Sequence, residues 1–416
     1  MREWLIRVVY ASVFFGFFAL SFYILTFISG IKRKIPQLKD SQLPKATVII
    51  PAWNEEDSVE KTMESILKSE YPHFEVIFVD DGSKDRTYEL AKKYKSDSRV
   101  SVFTKKNGGK ASALNLGISK AKGDIIFTMD ADTRVHKLSM KRMARYFTSP
   151  EVMSVTPAML IDSEGNKMTF LRRMQAIEYY LGIFLRKVFA TLNAIYIAPG
   201  AFTVYRKEFF EKYGGYNEGN ITEDLEMALR IQSKGFRTEN APNANIWTFG
   251  PANFKSLSKQ RVRWYTGLIT NFYDYRRMVS RKFGDLGLLV LPIGWITIMF
   301  AIFILLTTVI TSGINAVKYV LYLNSINFGF SGFFNITLRG FERFIFQFIS
   351  NPLIIFVSFS FLATVLYMEY AERKTGKIKD LKRNLAIFFF VFGPLFCYWW
   401  CVSFFKIIFK RAVTWR

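Results

Sequence analysis

The hydrophobic pattern divides the chain into three textures. Residues 4–30 form a nearly unbroken apolar run in which Arg7 is the only charge. About twenty helical residues rise roughly 30 Å, so this run is long enough to cross a bilayer. No A-x-A-like cleavage site follows, and Lys32, Arg33 and Lys34 come next. That favours an anchor helix with its basic end in the cytoplasm over a signal peptide. From residue 43 to about 249, short apolar runs alternate with charged, amphipathic stretches. Residues 46–51, 74–79, 100–103 and 125–129 read as buried strands, and 57–69, 86–94 and 111–120 as helices. Strand following helix in alternation predicts a parallel, doubly wound, Rossmann-like α/β sheet, whose ligands bind beyond the carboxyl ends of the strands.

The third texture begins with 253–282, a basic, aromatic, amphipathic stretch carrying Lys259, Arg261, Arg263, Arg276, Arg277, Arg281 and Lys282. It predicts a helix or helix pair at a membrane interface. Residues 286–310, 352–370 and 385–405 then read as spans, with 317–334 a weaker candidate. The organisation expected is an N-terminal transmembrane helix (1–34), a soluble domain (43–250), interface helices (251–283) and a membrane region of three or four spans (284–416). The charged ends disagree on the count. Three late spans place the basic loop 372–383 inside, and four place Lys406, Lys410, Arg411 and Arg416 inside. A re-entrant segment near Gly393-Pro394 would reconcile them.

Composition narrows the partners. The 57 basic against 34 acidic residues leave a net charge of +23. Such a charge suits nucleic acid, anionic lipid or a phosphate-rich substrate. The apolar spans favour the last two, so no nucleic acid is expected. Two cysteines, Cys397 and Cys401, and two histidines, His73 and His136, are too few for a disulfide framework, a zinc cluster or a His-based metal site.

Acidic motifs stand at the predicted strand ends. The first strand ends in Pro51-Ala52-Trp53-Asn54-Glu55-Glu56, the second in Asp80-Asp81-Gly82-Ser83, the fourth in Asp130-Ala131-Asp132. Any one of these could be turn or cap chemistry. Three together point to a site. Asp130 and Asp132 can share Mg²⁺ or Mn²⁺, which prefer oxygen ligands and bind jointly with substrate phosphates. Lys105 to Lys110 (KKNGGK) suits a phosphate loop, although Thr104 stands where a Walker A motif needs glycine. Thr222-Glu223-Asp224 follows Asn220, a spacing that fits a capping box, and Asp224 is also a candidate general base. On a helix, Gln260, Arg263 and Trp264 share one face. There the arginine can grip a diphosphate, and the tryptophan offers a flat surface to a sugar ring.

Taken in order, PAWNEE, VDDGS, GGKASALN, DAD, TED and QRVRW resemble the processive membrane-bound glycosyltransferases of family two, among them poly-N-acetylglucosamine and hyaluronan synthases. The resemblance covers the whole chain. It implies a GT-A catalytic domain inserted between transmembrane helices of a multi-pass cell-membrane protein, with that domain in the cytoplasm. It implies an inverting enzyme that extends a β-linked glycan from a UDP-sugar, UDP-N-acetylglucosamine foremost, and passes it across the membrane. Pro51, Asn54, Glu55, Asp80, Asp81, Lys110, Asp130, Gln260, Arg263 and Trp264 would bind the donor. Asp130 and Asp132 would hold Mn²⁺ or Mg²⁺. Asp224 would be the base beside Glu223, and Gly200, Ala201 and Trp264 would line the acceptor. Membrane lipids are expected partners, and the pattern leaves room for an accessory membrane subunit. One span precedes the catalytic domain where several relatives have more, and no second-messenger domain follows. Transfer of a single sugar to a lipid acceptor is the alternative activity, and a nucleotide-binding receptor or transporter the non-enzymatic one. Against the latter, no charge sits deep in the late spans.

Overall fold

The computed structural model describes residues 2–32, 37–162, 168–325, 338–375 and 381–409. Arg33, Lys34, Lys410, Arg411, Arg416 and the second half of 317–334 lie outside them. Helix α1 (Arg2–Lys32) leads into a three-layer domain. Its first half is β1 (Ala46–Ala52), α2 (Val59–Leu67), β2 (Phe74–Asp80), α3 (Thr87–Lys92), β3 (Val100–Thr104), α4 (Lys110–Lys120) and β4 (Ile125–Met129). The second half is β5 (Thr133–Val135), α5 (Ser139–Ala144), β6 (Val152–Ile161), α6 (Phe170–Thr191), β7 (Phe202–Arg206), α7 (Lys207–Tyr213), α8 (Glu223–Ser233) and β8 (Arg237–Thr248).

Among the described residues, eight strands form one sheet in the order β3-β2-β1-β4-β7-β6-β8-β5. The first four pair in parallel as expected. The second half corrects the all-parallel expectation. Strand β7 runs antiparallel to both β4 and β6, and β5 antiparallel to β8, while β6 and β8 are parallel. The apolar run of β1 is buried on both faces, with Val48, Ile49 and Ile50 fully enclosed. Each such side chain contributes about 1.5–3 kcal/mol. Helix α4 lies close on β1 because Gly117 has no Cβ, which would fall 2.3 Å from Ile49 Cγ2. That seat aims the N-terminus of α4, and Lys110 with it, at the carboxyl ends of the strands.

Beyond β8 come α9 (Phe254–Asp274), α10 (Leu291–Ser325), α11 (Leu338–Ile349), α12 (Pro352–Thr375) and α13 (Leu381–Ile408). Among the described residues, three helices are long and apolar enough to cross a membrane: Glu3–Ile31, Leu286–Ser325 and Ile387–Ile408. The apolar part of α12, Ile354–Tyr370, is shorter. Residues 317–325 continue α10. Pro394 lies inside the continuous α13, so the chain does not turn back near Gly393-Pro394 as a re-entrant segment there would require. A second core joins the domain to these helices. Phe27, Phe184, Tyr367 and Tyr370 pack ring on ring, and α9 runs along α13, where Tyr265 stacks on Trp400 at 4.6 Å.

Candidate active site

The loops after β1 and β2 are stitched together. Asn54 adopts a left-handed φ of 54°, its backbone N–H donates to Ser83 Oγ (2.9 Å), and its Oδ1 accepts from the Lys84 N–H (2.8 Å). The Glu55 N–H donates to Thr87 Oγ1 at 2.7 Å. Pro51 is buried inside β1, opposite Val79. Asp80 accepts from Thr104 Oγ1 (2.8 Å) and the Ser83 N–H (3.2 Å). Asp81 accepts from Lys105 Nζ (2.9 Å), the Gly108 N–H (3.0 Å) and the Gly109 N–H (2.7 Å). The buried Asp81 thus shapes the glycine loop, which turns into α4 through Gly109 at φ 88°.

Lys110, the first residue of α4, is the hub. Its Nζ lies 2.5 Å from Asp130 Oδ1 and 3.3 Å from Glu223 Oε1. Burial opposes its charge, but Asp130, Glu223 and Asp224 outweigh burial and hold the ammonium protonated well above its ordinary range. Burial and the neighbouring Asp130 and Glu55 carboxylates push Asp132 up to about 7. Burial also raises Glu223, partly offset by Lys110. Asp224, in the first turn of α8, accepts the Gly200 N–H on Oδ2 at 2.8 Å. The Asp130 N–H donates to the Ala201 carbonyl (3.0 Å), which ties the 200–201 turn to the acidic strand end. A Cβ at Gly200 would stand 2.6 Å from Asp224 Oδ2 and 3.1 Å from Lys110 Nζ. Lys110, Asp130, Asp132, Gly200, Ala201, Glu223 and Asp224 are therefore gathered at one place.

Helix α9 carries Gln260, Arg263 and Trp264. Arg263 reaches the Ile221 carbonyl (3.5 Å), beside the Thr222-Glu223-Asp224 turn, and Trp264 packs on the sheet core. Arg261 departs from the interface reading of this helix. It is fully buried, pairs with Glu178 of α6 (2.5 Å), donates to Gln260 Oε1 (2.9 Å) and lies 4.2 Å over the Trp264 ring. Tyr179 sits in the electrostatic field of both Arg261 and Asp132, and burial pushes its hydroxyl up to about 12. Sequence reasoning missed Glu178, Tyr179 and the role of Arg261. A signal existed, because Arg261 follows Leu257 by four residues on the buried side of the helix. The expected capping box is also absent. Thr222 is the N-cap, and Asn220 Oδ1 instead accepts the Thr222 N–H at 2.9 Å.

Known proteins resemble this chain in sequence and fold. The profile described as "Glycosyl transferase family 2" matches residues 47–214. Poly-beta-1,6-N-acetyl-D-glucosamine synthase of Staphylococcus aureus (strain MSSA476) is 32% identical over 282 residues, 66% of this chain and 67% of the relative. The chain belongs to glycosyltransferase family 2. It is a glycosyltransferase. The Staphylococcus epidermidis synthase of the same name is 31% identical over 301 residues, 70% of this chain and 71% of the relative. Among solved structures, mannosyltransferase PcManGT from Pyrobaculum calidifontis, in complex with GDP-Man and Mn²⁺, covers 77% of this chain and 92% of its own. It superposes with a TM-score of 0.60 at 21% identity. That likeness supports the GT-A fold of the domain. Family membership makes Gly200→Ala a sharp probe. The new methyl would displace the Asp224 carboxylate, the movable group in its way, so turnover is expected to fall on the order of 10²-fold while the protein still folds. Nucleotide release alongside a melting curve checks this.

Proposed function

We propose that this enzyme extends a β-linked polysaccharide from UDP-N-acetylglucosamine at the cytoplasmic face of the cell membrane, in which it is anchored by several spans. The observation that carries the reading is the placement of Asp224. Its carboxylate is fixed by the Gly200 N–H and faces the Lys110–Asp130 pair, at the mouth where a parallel sheet receives its ligand. The names of the staphylococcal relatives support the sugar and the polymer.

The chain's own residues divide the work. Asp224 takes the proton of the acceptor hydroxyl as that oxygen attacks the anomeric carbon. Attack from the face opposite the leaving diphosphate inverts the centre, so an α-linked donor yields a β linkage. Lys110 sets a buried positive charge beside that diphosphate. Gln260 and Arg263 close over the donor from α9, and Trp264 offers its ring to the acceptor end. Pro51, Asn54 and Glu55, with Asp80 and Asp81, frame the nucleotide.

Asp130 and Asp132 fit a divalent cation. Burial first, and then the Asp130 and Glu55 carboxylates, raise the Asp132 carboxyl, and a cation shared by Asp130 and Asp132 would favour its charged form. Among the described residues no three carboxylate, imidazole or thiol groups form a cage for an ion. That suits Mg²⁺ or Mn²⁺ held jointly with donor phosphates. Such an ion supplies Lewis-acid neutralisation of the leaving diphosphate. Asp130→Asn and Asp132→Asn are accordingly expected to abolish the response of turnover to added metal. Nucleotide release measured across a titration of MnCl₂ or MgCl₂ checks this, and an unchanged metal response would remove both residues from that role.

The three membrane-length helices and the aromatic packing of α1, α12 and α13 against the domain support passage of the product across the bilayer beside its site of synthesis. The purified full chain, supplied with a panel of uridine-diphosphate sugars, should release UDP from UDP-N-acetylglucosamine in preference to UDP-glucose or UDP-glucuronate. Preference for another sugar would overturn the donor assignment.

A further inference from the structure

Beyond Arg263, which reaches the Ile221 carbonyl, the same face of α9 runs on along the start of α8. Gly267, Asn271 and, just past the helix end, Tyr275 follow one another every four residues, the spacing of a single helical face. The Asn271 side chain is fully buried. Its amide donates to Thr222 Oγ1 (2.9 Å) and Asn220 Oδ1 (3.2 Å), and its own Oδ1 accepts from the Asn220 amide (2.6 Å). Asn220 Oδ1 in turn accepts the Thr222 N–H (2.9 Å). Each of the four side-chain polar atoms of this pair is bonded to the other asparagine or to Thr222. One turn earlier, Gly267 lets α9 approach so closely that a Cβ there would fall 2.2 Å from Thr222 Oγ1. One turn later, the Tyr275 hydroxyl donates to Glu226 Oε1 (2.6 Å) in the first turn of α8.

Thr222 is the residue from which α8 starts, and its carbonyl accepts the Glu226 N–H at 3.1 Å. Asp224 stands two residues on. Its direct hydrogen bonds to the Gly200 and Leu225 N–H groups fix the carboxylate only if the turn that delivers it is itself fixed.

We infer that Asn271 is a positioning residue for the reaction: through the Asn220–Thr222 turn it sets where the Asp224 carboxylate stands, and it ties that carboxylate to the helix that presents Gln260, Arg263 and Trp264. The inference rests on Asp224 being the base. The structure gives the two groups a common mount. A polar network that engages every side-chain polar atom around a buried residue favours one arrangement, because leaving such an atom unpaired is costly.

The test uses the purified full chain with UDP-N-acetylglucosamine and four variants: Asn271→Ala, Thr222→Val, their double, and Asp224→Asn as reference. Thr222→Val keeps the side-chain shape and removes only the hydroxyl, which guards against a fold defect in Asn271→Ala. Asn271→Ala should lower kcat on the order of 10²-fold, as a base misplaced by about 1 Å does, with KM and donor Kd unchanged. Thr222→Val should lower kcat in the same sense, and the double variant should be no worse than the poorer single, because both cut one linkage. Three results would overturn the inference alone: a wild-type kcat in Asn271→Ala beside an inactive Asp224→Asn, losses that multiply in the double variant, or a loss that appears in donor Kd and melting temperature without a fall in kcat. Turnover retained in Asp224→Asn would overturn the base assignment and this inference with it.

Discussion

Asp224→Asn is expected to stop transfer while leaving donor binding intact. The substitution is nearly isosteric, and an asparagine oxygen can still accept the Gly200 N–H that the carboxylate accepts at 2.8 Å. What disappears is the capacity to take a proton, together with one of two acceptors, since Oδ1 also accepts the Leu225 N–H at 2.8 Å. A positioned general base contributes roughly 10²–10⁴-fold, so turnover should fall by that factor or below detection. Donor affinity should persist, since the residues proposed for the nucleotide sit on the loops after β1 and β2 and at the start of α4. Isothermal titration with UDP or the intact donor, beside a continuous assay of UDP release, separates the two quantities. Unchanged turnover would remove Asp224 from the role. Lost binding with lost turnover would instead place its charge in holding the donor complex together.

The second large effect concerns stability. Arg261 is fully buried, and Glu178 is its carboxylate partner at 2.5 Å. Removing one member of a buried pair strands the other charge, a cost of about 3–5 kcal/mol. Arg261→Met is therefore expected to lower the unfolding temperature of the detergent-purified protein sharply. Replacing both partners, Glu178→Leu with Arg261→Met, should restore much of that stability. Activity should not return with it, because the guanidinium also lies against the Trp264 ring at 4.2 Å and donates to Gln260. The double variant thus separates folding from the placement of the acceptor platform. A single variant as stable as the parent would show that the pair contributes nothing.

Continuous apolar runs made the first half of the domain readable. Residues 46–51 and 125–129 are apolar but for one threonine each, as buried strands are, and the observed β1 and β4 match to within a residue. The acidic strand ends followed from that frame. The second half was not legible by the same means. Strand β8 carries Thr238, Glu239, Asn240, Pro242, Asn243 and Asn245, a run without apolar alternation. It is stable as a strand because its partner is also polar there: Thr238 meets Ser154 at 2.7 Å, and the Asn240 amide donates to Thr156 Oγ1 at 3.1 Å. Register shifts between β6 and β8 break the period further. Arg261 was hidden differently. Gln260, Arg263 and the downstream basic residues look alike in sequence, and the carboxylate that buries this one arginine lies 83 residues earlier in the chain. Asn220 misled through local spacing, since Asn271 and Thr222 claim the side chain that a capping box would have used.

The central claim is that one active site builds a polymer. The most direct test gives the purified protein, in nanodiscs with Mn²⁺ or Mg²⁺, UDP-N-acetylglucosamine carrying a labelled sugar, and sizes the product over time by gel and by organic extraction. A high-molecular-weight, water-soluble product that a β-N-acetylglucosaminidase degrades, present from the earliest time points, is the predicted result. Label confined to a small, lipid-extractable species would contradict it and assign the enzyme to single-sugar transfer.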